Sequence, residues 1–258
     1  MDKRNKREER INEINVNRYG TEMKIIDYIR KDNIIVEFQD EHKYKTKTSY
    51  QSFKNRTVNN PYDKIVYGVG YIGEGKYCKS YNKKLYNTWY SMFVRCYDPY
   101  AINNKFPTYK NCTVDQEFHC LQNFGKWYDE NFYEVPNEIM CLDKDILING
   151  NQIYGPHTCI IVPQSINSLV SINYSNNKLP PGVCYHIHHK KFIASCCVYE
   201  NNEKKVTTIG YYEDPDDAFI AYKQFKEMYI KIIAEKYKAF IPKKLYEALY
   251  KYEIKLNK

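Results

Sequence analysis

Between Asn17 and about Tyr71, apolar and polar residues alternate in short runs, MKIIDYI, NIIVEF and YKTKTSY, broken by the polar stretches RKD and QDEH. A period of two over so few residues predicts three or four short antiparallel strands, a small β-barrel-like module. The glycines of YGVGYIGEG, Tyr67 to Gly75, then read as tight turns with positive φ where the chain leaves that module. From Leu85 the period lengthens. In LYNTWYSMFVRCY the apolar positions Leu85, Trp89, Met92, Phe93 and Cys96 follow helical spacing, and in FHCLQNFGKWYDENF so do Phe118, Leu121, Phe124, Trp127 and Tyr128. Both stripes are expected to be core.

After Leu179 the pattern returns to strands. PPGVCYHIHHKKFIASCCVYENNEKKVTTIGYY predicts three of them, with a tight turn at HHKK and a longer one at ENNEKK. A helix should follow, with Asp214 as N-cap, Pro215 in the first helical position and Asp216 and Asp217 favourably placed for the helix dipole. Its sheet-facing stripe is expected to be Ala218, Ala221, Tyr222, Phe225, Tyr229, Ile232 and Ile233. Pro242 marks the start of a last basic amphipathic helix.

Composition adds a partner class. The 258 residues are 43% hydrophobic with 10 glycines and 10 prolines, enough to bury real cores in one to three domains. A net charge of +8, from 39 Lys+Arg against 31 Asp+Glu, and 28 tyrosines favour a nucleic-acid partner, because cations bind phosphate and aromatic rings stack on bases. An AT-rich genome would also raise Lys, Asn, Ile and Tyr. Residues 1–15 read as a charged segment, a solvated tail or a frayed helix. No apolar run reaches eighteen residues and the N-terminus lacks a signal peptide's apolar region, so a cytoplasmic protein without a membrane partner is expected. Nine cysteines with no CxxC pair argue against a disulfide framework or zinc ribbon. Buried free thiols are expected, the alternative being a scattered zinc site using Cys96, Cys112, Cys120 or Cys159.

Five blocks in order, LYNTWYSMFVRCYDP, YKNCTVDQEF, NFGKWYDENF, LDKDILINGNQIYGPHTC and PQSIN, resemble the HNH proteins of phages and mobile elements. The letters YIG near Tyr71 do not extend to a GIY-YIG nuclease, which needs a second strand motif and an arginine-bearing helix. The HNH resemblance implies a ββα element that holds one divalent metal against a phosphate while a histidine activates water. It places Asp143 as the first metal ligand, Asn167 as a second metal-facing residue, and Lys144 where the general base belongs. A lysine with an ordinary pKa near 10.4 is protonated at neutral pH, and Asp143 and Asp145 would keep it so. Hydrolysis is thereby put in question, and Lys144 would instead meet phosphate as a point charge. His157 is the candidate substitute base. The bracing asparagine of the motif aligns with His157 or Thr158, and Asn149, Gly150 and Asn151 read as a structural turn.

The sequence GVCYHIHHKKFIAS, then KKVTTIGYY, then DPDDAFIAYKQFKEMYI resembles the apetala/ethylene-response-factor type of DNA-binding domain. That resemblance implies a three-stranded sheet with one face on a helix and the other in the major groove. By alternation Val183, Tyr185, Ile187, Phe192, Ala194, Cys196, Thr207 and Ile209 face the helix, and Cys184, His186, His188, Ile193, Ser195, Val206 and Thr208 face outward. Candidate DNA contacts are Tyr185, His186, His188, Lys190, Lys191, Ser195, Lys204, Lys205 and Thr208, with affinity carried mainly by the lysines. His186 and His188 share a strand face, without an evident third metal ligand.

Together these features predict an α+β protein with a charged tail (1–15), a small N-terminal β module (16–75), a central degenerate HNH ββα domain with flanking helices (76–172), a C-terminal three-stranded sheet plus helix (173–240) and a terminal helix (241–258). The expected function is binding of double-stranded DNA by a phage or mobile-element derivative of an HNH homing endonuclease. Two alternatives are an active endonuclease using Mg2+ or Mn2+, and a phage factor that acts on a host protein of a defence or transcription complex.

Overall fold

The computed structural model describes residues 8–172, 179–200 and 203–254, with the side chains of Glu200, Glu203 and Lys204 outside the description. The fold is α+β, and the chain divides into two compact units, Met1–Tyr128 and Asp129–Lys258. The sequence-predicted boundaries near residues 75, 172 and 240 fall inside these units.

In the first unit, β1 (Ile14–Val16), β2 (Glu22–Arg30), β3 (Asn33–Phe38) and β4 (Lys45–Thr48) form an antiparallel sheet in chain order. Alternation works as predicted: Met23 pairs with Phe38 and Ile25 with Val36, and these side chains with Ile34, Phe53 and Val58 form one buried cluster. The sheet is an open meander with β1 and β4 at its edges, where a barrel-like closure was expected. Its core is completed instead by the short helix α1 (Tyr50–Lys54), capped by Ser49. The end of the charged segment is not simply solvated. Arg10 pairs with Glu13 at 3.1 Å, and both bond the Tyr50 hydroxyl, while Lys54 adds a second ion pair to Glu13.

Helix α2 (Lys83–Tyr97) buries the five residues expected of it, and Asn82 caps its start by accepting from the Leu85 amide at 3.0 Å. Two short helices, α3 (Pro99–Asn104) and α4 (Gln116–His119), flank the two-residue strand β5 (Thr113–Val114), and α5 (Leu121–Asn131) follows. Trp89 is fully buried, edge-on to Phe93 at 5.0 Å, and its Nε1–H donates to the Phe118 carbonyl at 2.8 Å.

The second unit opens with β6 (Met140–Asp143), a long connection containing β7 (Ile153–Tyr154), then β8 (Ile160–Pro163) antiparallel to β6, and helix α6 (Gln164–Val170). It continues with β9 (Val183–His186), β10 (Lys191–Glu200) and β11 (Glu203–Tyr212), an antiparallel sheet of order β11-β10-β9, covered by α7 (Pro215–Tyr237) and followed by α8 (Lys243–Tyr250). Asp214 caps α7 as predicted, accepting from the Asp216 amide at 2.7 Å. The buried stripe of α7 differs from expectation. It runs Ala218, Tyr222, Lys226, Ile230 and Ala234, with Phe219 beside it, while Ile232 is more than half exposed. A strict four-residue row winds about 40° round the helix at each step, whereas the set read from apolarity keeps to one side, and Lys226 occupies a place in that row that hydropathy assigns to the surface.

Candidate functional site

Asp143 ends β6, and its neighbours decide what its carboxylate can do. Alternation puts it on one face of the strand with Cys141. Its Oδ1 accepts the Asp145 and Ile146 amides, each at 2.7 Å, as a capping carboxylate does at the start of a turn. Burial pushes its carboxyl above the ordinary range, against the opposing effect of those amides. A carboxyl raised in this way binds its proton more tightly folded than unfolded. Stability therefore falls as pH rises from the unfolded carboxyl value to the folded one. Asp143→Asn keeps the acceptor without the buried charge, so it is expected to match or exceed the parent in stability at pH 7 and to flatten that acid-side slope in urea titrations. Asp143→Ala, which loses the cap, is expected to cost about 1 kcal/mol.

Lys144 turns inward. Only 6% exposed, its Nζ donates to both oxygens of Asp145 at 2.8 and 2.9 Å and to the Asn151 carbonyl at 2.7 Å. Asn151 returns the contact through its Nδ2, which donates to the carbonyls of Lys144 at 2.8 Å and Ile153 at 2.7 Å, and Gly150 supplies the positive φ of +76°. The turn expected at Asn149–Asn151 is thus a clasp around the lysine. An ammonium has three donors, and here three acceptors meet it. This arrangement suits neither a proton acceptor nor an outward phosphate contact, the two roles considered from sequence. Lys144→Ala is expected to destabilise the second unit by about 2 kcal/mol, because it leaves the Asn151 carbonyl without that partner, and to loosen proteolytic protection of residues 144–155.

His157 is exposed in the turn before β8. Bracing of this loop falls to Thr158, whose hydroxyl donates to the Ile153 carbonyl at 2.7 Å and accepts from the Gly155 amide at 3.1 Å. Asn167, on α6, directs its Nδ2 to the Cys141 sulfur at 3.4 Å. The residues assigned to a metal therefore carry protein partners: one Asp143 oxygen meets two amides, and the Asn167 amide donates to sulfur. Among the described residues no group of three His, Cys, Asp or Glu side chains is placed to hold a metal ion. These bonds do not engage Asp143 Oδ2 or Asn167 Oδ1, the atoms that would meet the divalent ion the HNH resemblance implies.

Sequence reading did not single out Cys159 for this corner. Its thiol is buried and pushed up to about 12, with Asp143 and Lys144 close enough to act on it. Cys78, beside the Ser80 hydroxyl at 3.0 Å, is shifted the other way by that hydrogen bond. Limited iodoacetamide treatment of the native protein at pH 8 is expected to label Cys78 and the exposed Cys184 and to leave Cys159 intact, read by peptide mass mapping.

In the C-terminal sheet, Val183, Ala194, Cys196, Phe192 and Ile209 pack toward α7 as expected. Outward lie Cys184, Val206, Thr208 and Tyr211, all exposed, with Ser195 directly across from Thr208. A bulge at Ala194/Ser195 shifts the register so that Ile209 and Tyr212 face α7 and Tyr211 does not. One parity assignment fails: Ile187 is 78% exposed because β9 ends at His186. Ile193 keeps the outward face, between Cys184 and Tyr211, and is buried there by its place on the central strand. Tyr185, a candidate DNA contact, pairs across from Phe192 with ring centroids 5.2 Å apart, on the helix side, and is half exposed there.

The β9–β10 turn gathers more than the two histidines expected. The rings of His186 and His189 lie 4.5 Å apart, those of His186 and His188 lie 5.9 Å apart, and Tyr211 stands 4.9 Å from His189. The His189 amide donates to His186 Nδ1 at 3.2 Å, so neutral His186 carries its proton on Nε2. The signal for this cluster was the HIHH run itself, hidden by treating His189 as turn filler. Lys190, at φ +49°, and Lys205 are exposed, Lys205 lying across from buried Val198 on the α7 side of the sheet, and Lys191 pairs with Glu213 at 2.8 Å. The side chain of Lys204 lies outside the described residues.

Among the described residues, no helix is long and apolar enough to cross a membrane. Comparison with protein families, with curated proteins and with solved structures yields no match for this chain.

Proposed function

We propose that this chain binds double-stranded DNA through the outer face of β9–β11 and does not cleave it, as a phage or mobile-element derivative of an HNH homing endonuclease. The observation that carries the binding reading is the sheet face that no described element covers, where Ser195 and Thr208 sit opposite one another beside exposed Val206, with Lys190 at the turn. A two-stranded antiparallel ribbon fits the major groove, small hydroxyl side chains can pair with base edges, and lysines offset phosphate charge. The absence of cleavage rests on Lys144, held by Asp145 and Asn151 at the position of the base. Mg2+ or Mn2+ would matter to the alternative in which the site cuts, and this reading routes no step through either.

Fluorescence anisotropy with a labelled duplex across a salt series tests the interface. Lys190→Ala is expected to weaken binding several-fold and to lower the salt slope by about 0.9. Lys191→Ala should do less, since Glu213 already engages that ammonium. Duplex affinity indifferent to Lys190 would contradict the proposed face, and capture of a host protein by the same variant would favour the protein-interaction alternative.

A further inference from the structure

Between Glu74 and Asp98 the chain has four lysines, one arginine and five tyrosines, and no acidic residue at all. Most of the excess charge of the molecule is thus concentrated in 23 residues of the first unit. Lys76, Lys79, Lys83 and Lys84 are exposed, as are Tyr81 and Tyr90. Lys83 and Lys84 open α2, whose first turn has no acidic residue, so two like charges face the positive end of the helix dipole. That placement costs helix stability and favours an anion at the same spot. Elsewhere in the unit the charge is reversed: the cleft of about 720 Å³ lined by Tyr62, Tyr71 and His42 carries Asp40, Glu41 and Glu117. The basic patch is therefore a local feature and not a uniform property of the unit.

Aromatic rings are interleaved with these cations. Lys76 Nζ lies 5.3 Å from the Tyr81 ring centre and Lys79 Nζ 5.9 Å from that of Tyr86. Tyr86 and Tyr90 are one helical turn apart with their planes within 14°, centroids 6.3 Å apart, and Tyr67 continues the row 6.0 Å beyond Tyr90. A near-parallel pair of rings, with Tyr67 tilted 48° beyond it and ammonium groups along its edge, matches the two demands of an unpaired strand, a π face for each base and a cation for each phosphate. A duplex would use only the lysines, because its base faces are already stacked on one another.

We propose that the surface built by Lys76, Lys79, Tyr81, Lys83, Tyr86 and Tyr90 binds single-stranded nucleic acid. It lies in the first unit and is independent of the duplex face in the second, so the two can fail separately. The test measures anisotropy of the full chain with a labelled oligo-dT strand and with a duplex of equal length, over a salt series. Lys79→Ala/Lys83→Ala is expected to weaken oligo-dT binding about tenfold and to lower its salt slope by about 1.4. Tyr81→Ala/Tyr90→Ala should weaken oligo-dT binding about tenfold or more with little change for the duplex, and the corresponding phenylalanine variants should bind like the parent. Lys190→Ala should leave oligo-dT binding unchanged. All the altered side chains are exposed, and circular dichroism checks that each variant is folded. Oligo-dT affinity insensitive to both double variants would overturn the proposal. So would loss of binding to vesicles of phosphatidylserine and phosphatidylcholine in these variants with oligo-dT binding intact, which would assign the surface to a membrane.

Discussion

Gly182→Ala is expected to lower the stability of the second unit by about 4 kcal/mol and to abolish duplex binding with it. Gly182 has φ +75°, a conformation that costs an L side chain about 1 kcal/mol or more, and a Cβ built there would lie 2.1 Å from Cδ2 of Tyr222. Tyr222 cannot yield easily. It is 4% exposed and sits in the cluster with Val183, Ala194, Cys196 and Phe219 that joins sheet to helix. Overpacking at such a place adds a further few kcal/mol. The Gly182 carbonyl also accepts from the Ser195 amide at 2.9 Å, so a displaced backbone would pull on β10 where it carries a proposed contact residue. Urea unfolding followed by circular dichroism, paired with duplex anisotropy, checks this. A variant with the parent's midpoint and affinity would show that the close approach of Gly182 to Tyr222 is not needed.

Trp89→Ala is expected to cost about 3–5 kcal/mol in the first unit. The side chain is fully buried, so truncation removes its apolar contacts with Phe93 and Tyr86 and leaves a void that α2 and its neighbours fill only in part. It also strands the Phe118 carbonyl, which accepts the indole N–H at 2.8 Å. Trp89→Phe separates the two contributions, since it keeps much of the packing and loses the hydrogen bond, and should cost roughly half as much. Fluorescence of Trp127, the other tryptophan, reports the transition. A midpoint shift under 1 kcal/mol for the alanine variant would contradict the assignment of Trp89 to the centre of this core.

The elements were legible in the sequence wherever one periodicity held over a full face. Leu85, Trp89, Met92, Phe93 and Cys96 all point inward because α2 has a single buried stripe, and the alternation in β2 and β3 set which side chains meet Phe53. Legibility ended where a charged residue was buried or a strand stopped. Lys226 in the α7 stripe and Lys144 in its clasp are surface residues by hydropathy, and only the partners brought by folding make their burial tolerable. Ile187 followed strand parity on paper, yet its strand ends one residue earlier, and the bulge at Ala194/Ser195 moved Tyr211 outward beside the histidines. For the candidate site, the ββα order and the turn at Asn149–Asn151 were readable. The direction taken by the Lys144 side chain was not, since spacing along the chain does not say whether Asp145 lies above a lysine or beside it.

The most direct test of duplex binding without cleavage is incubation of the purified full chain with supercoiled and linear DNA, with and without Mg2+ or Mn2+, scored for mobility shift and nicking over a salt series. Binding without cleavage gives a shift that weakens as salt rises, in both DNA forms, with no nicked product under any metal condition. Metal-dependent nicking that disappears in Asp143→Ala would contradict it and return His157 to consideration as the base.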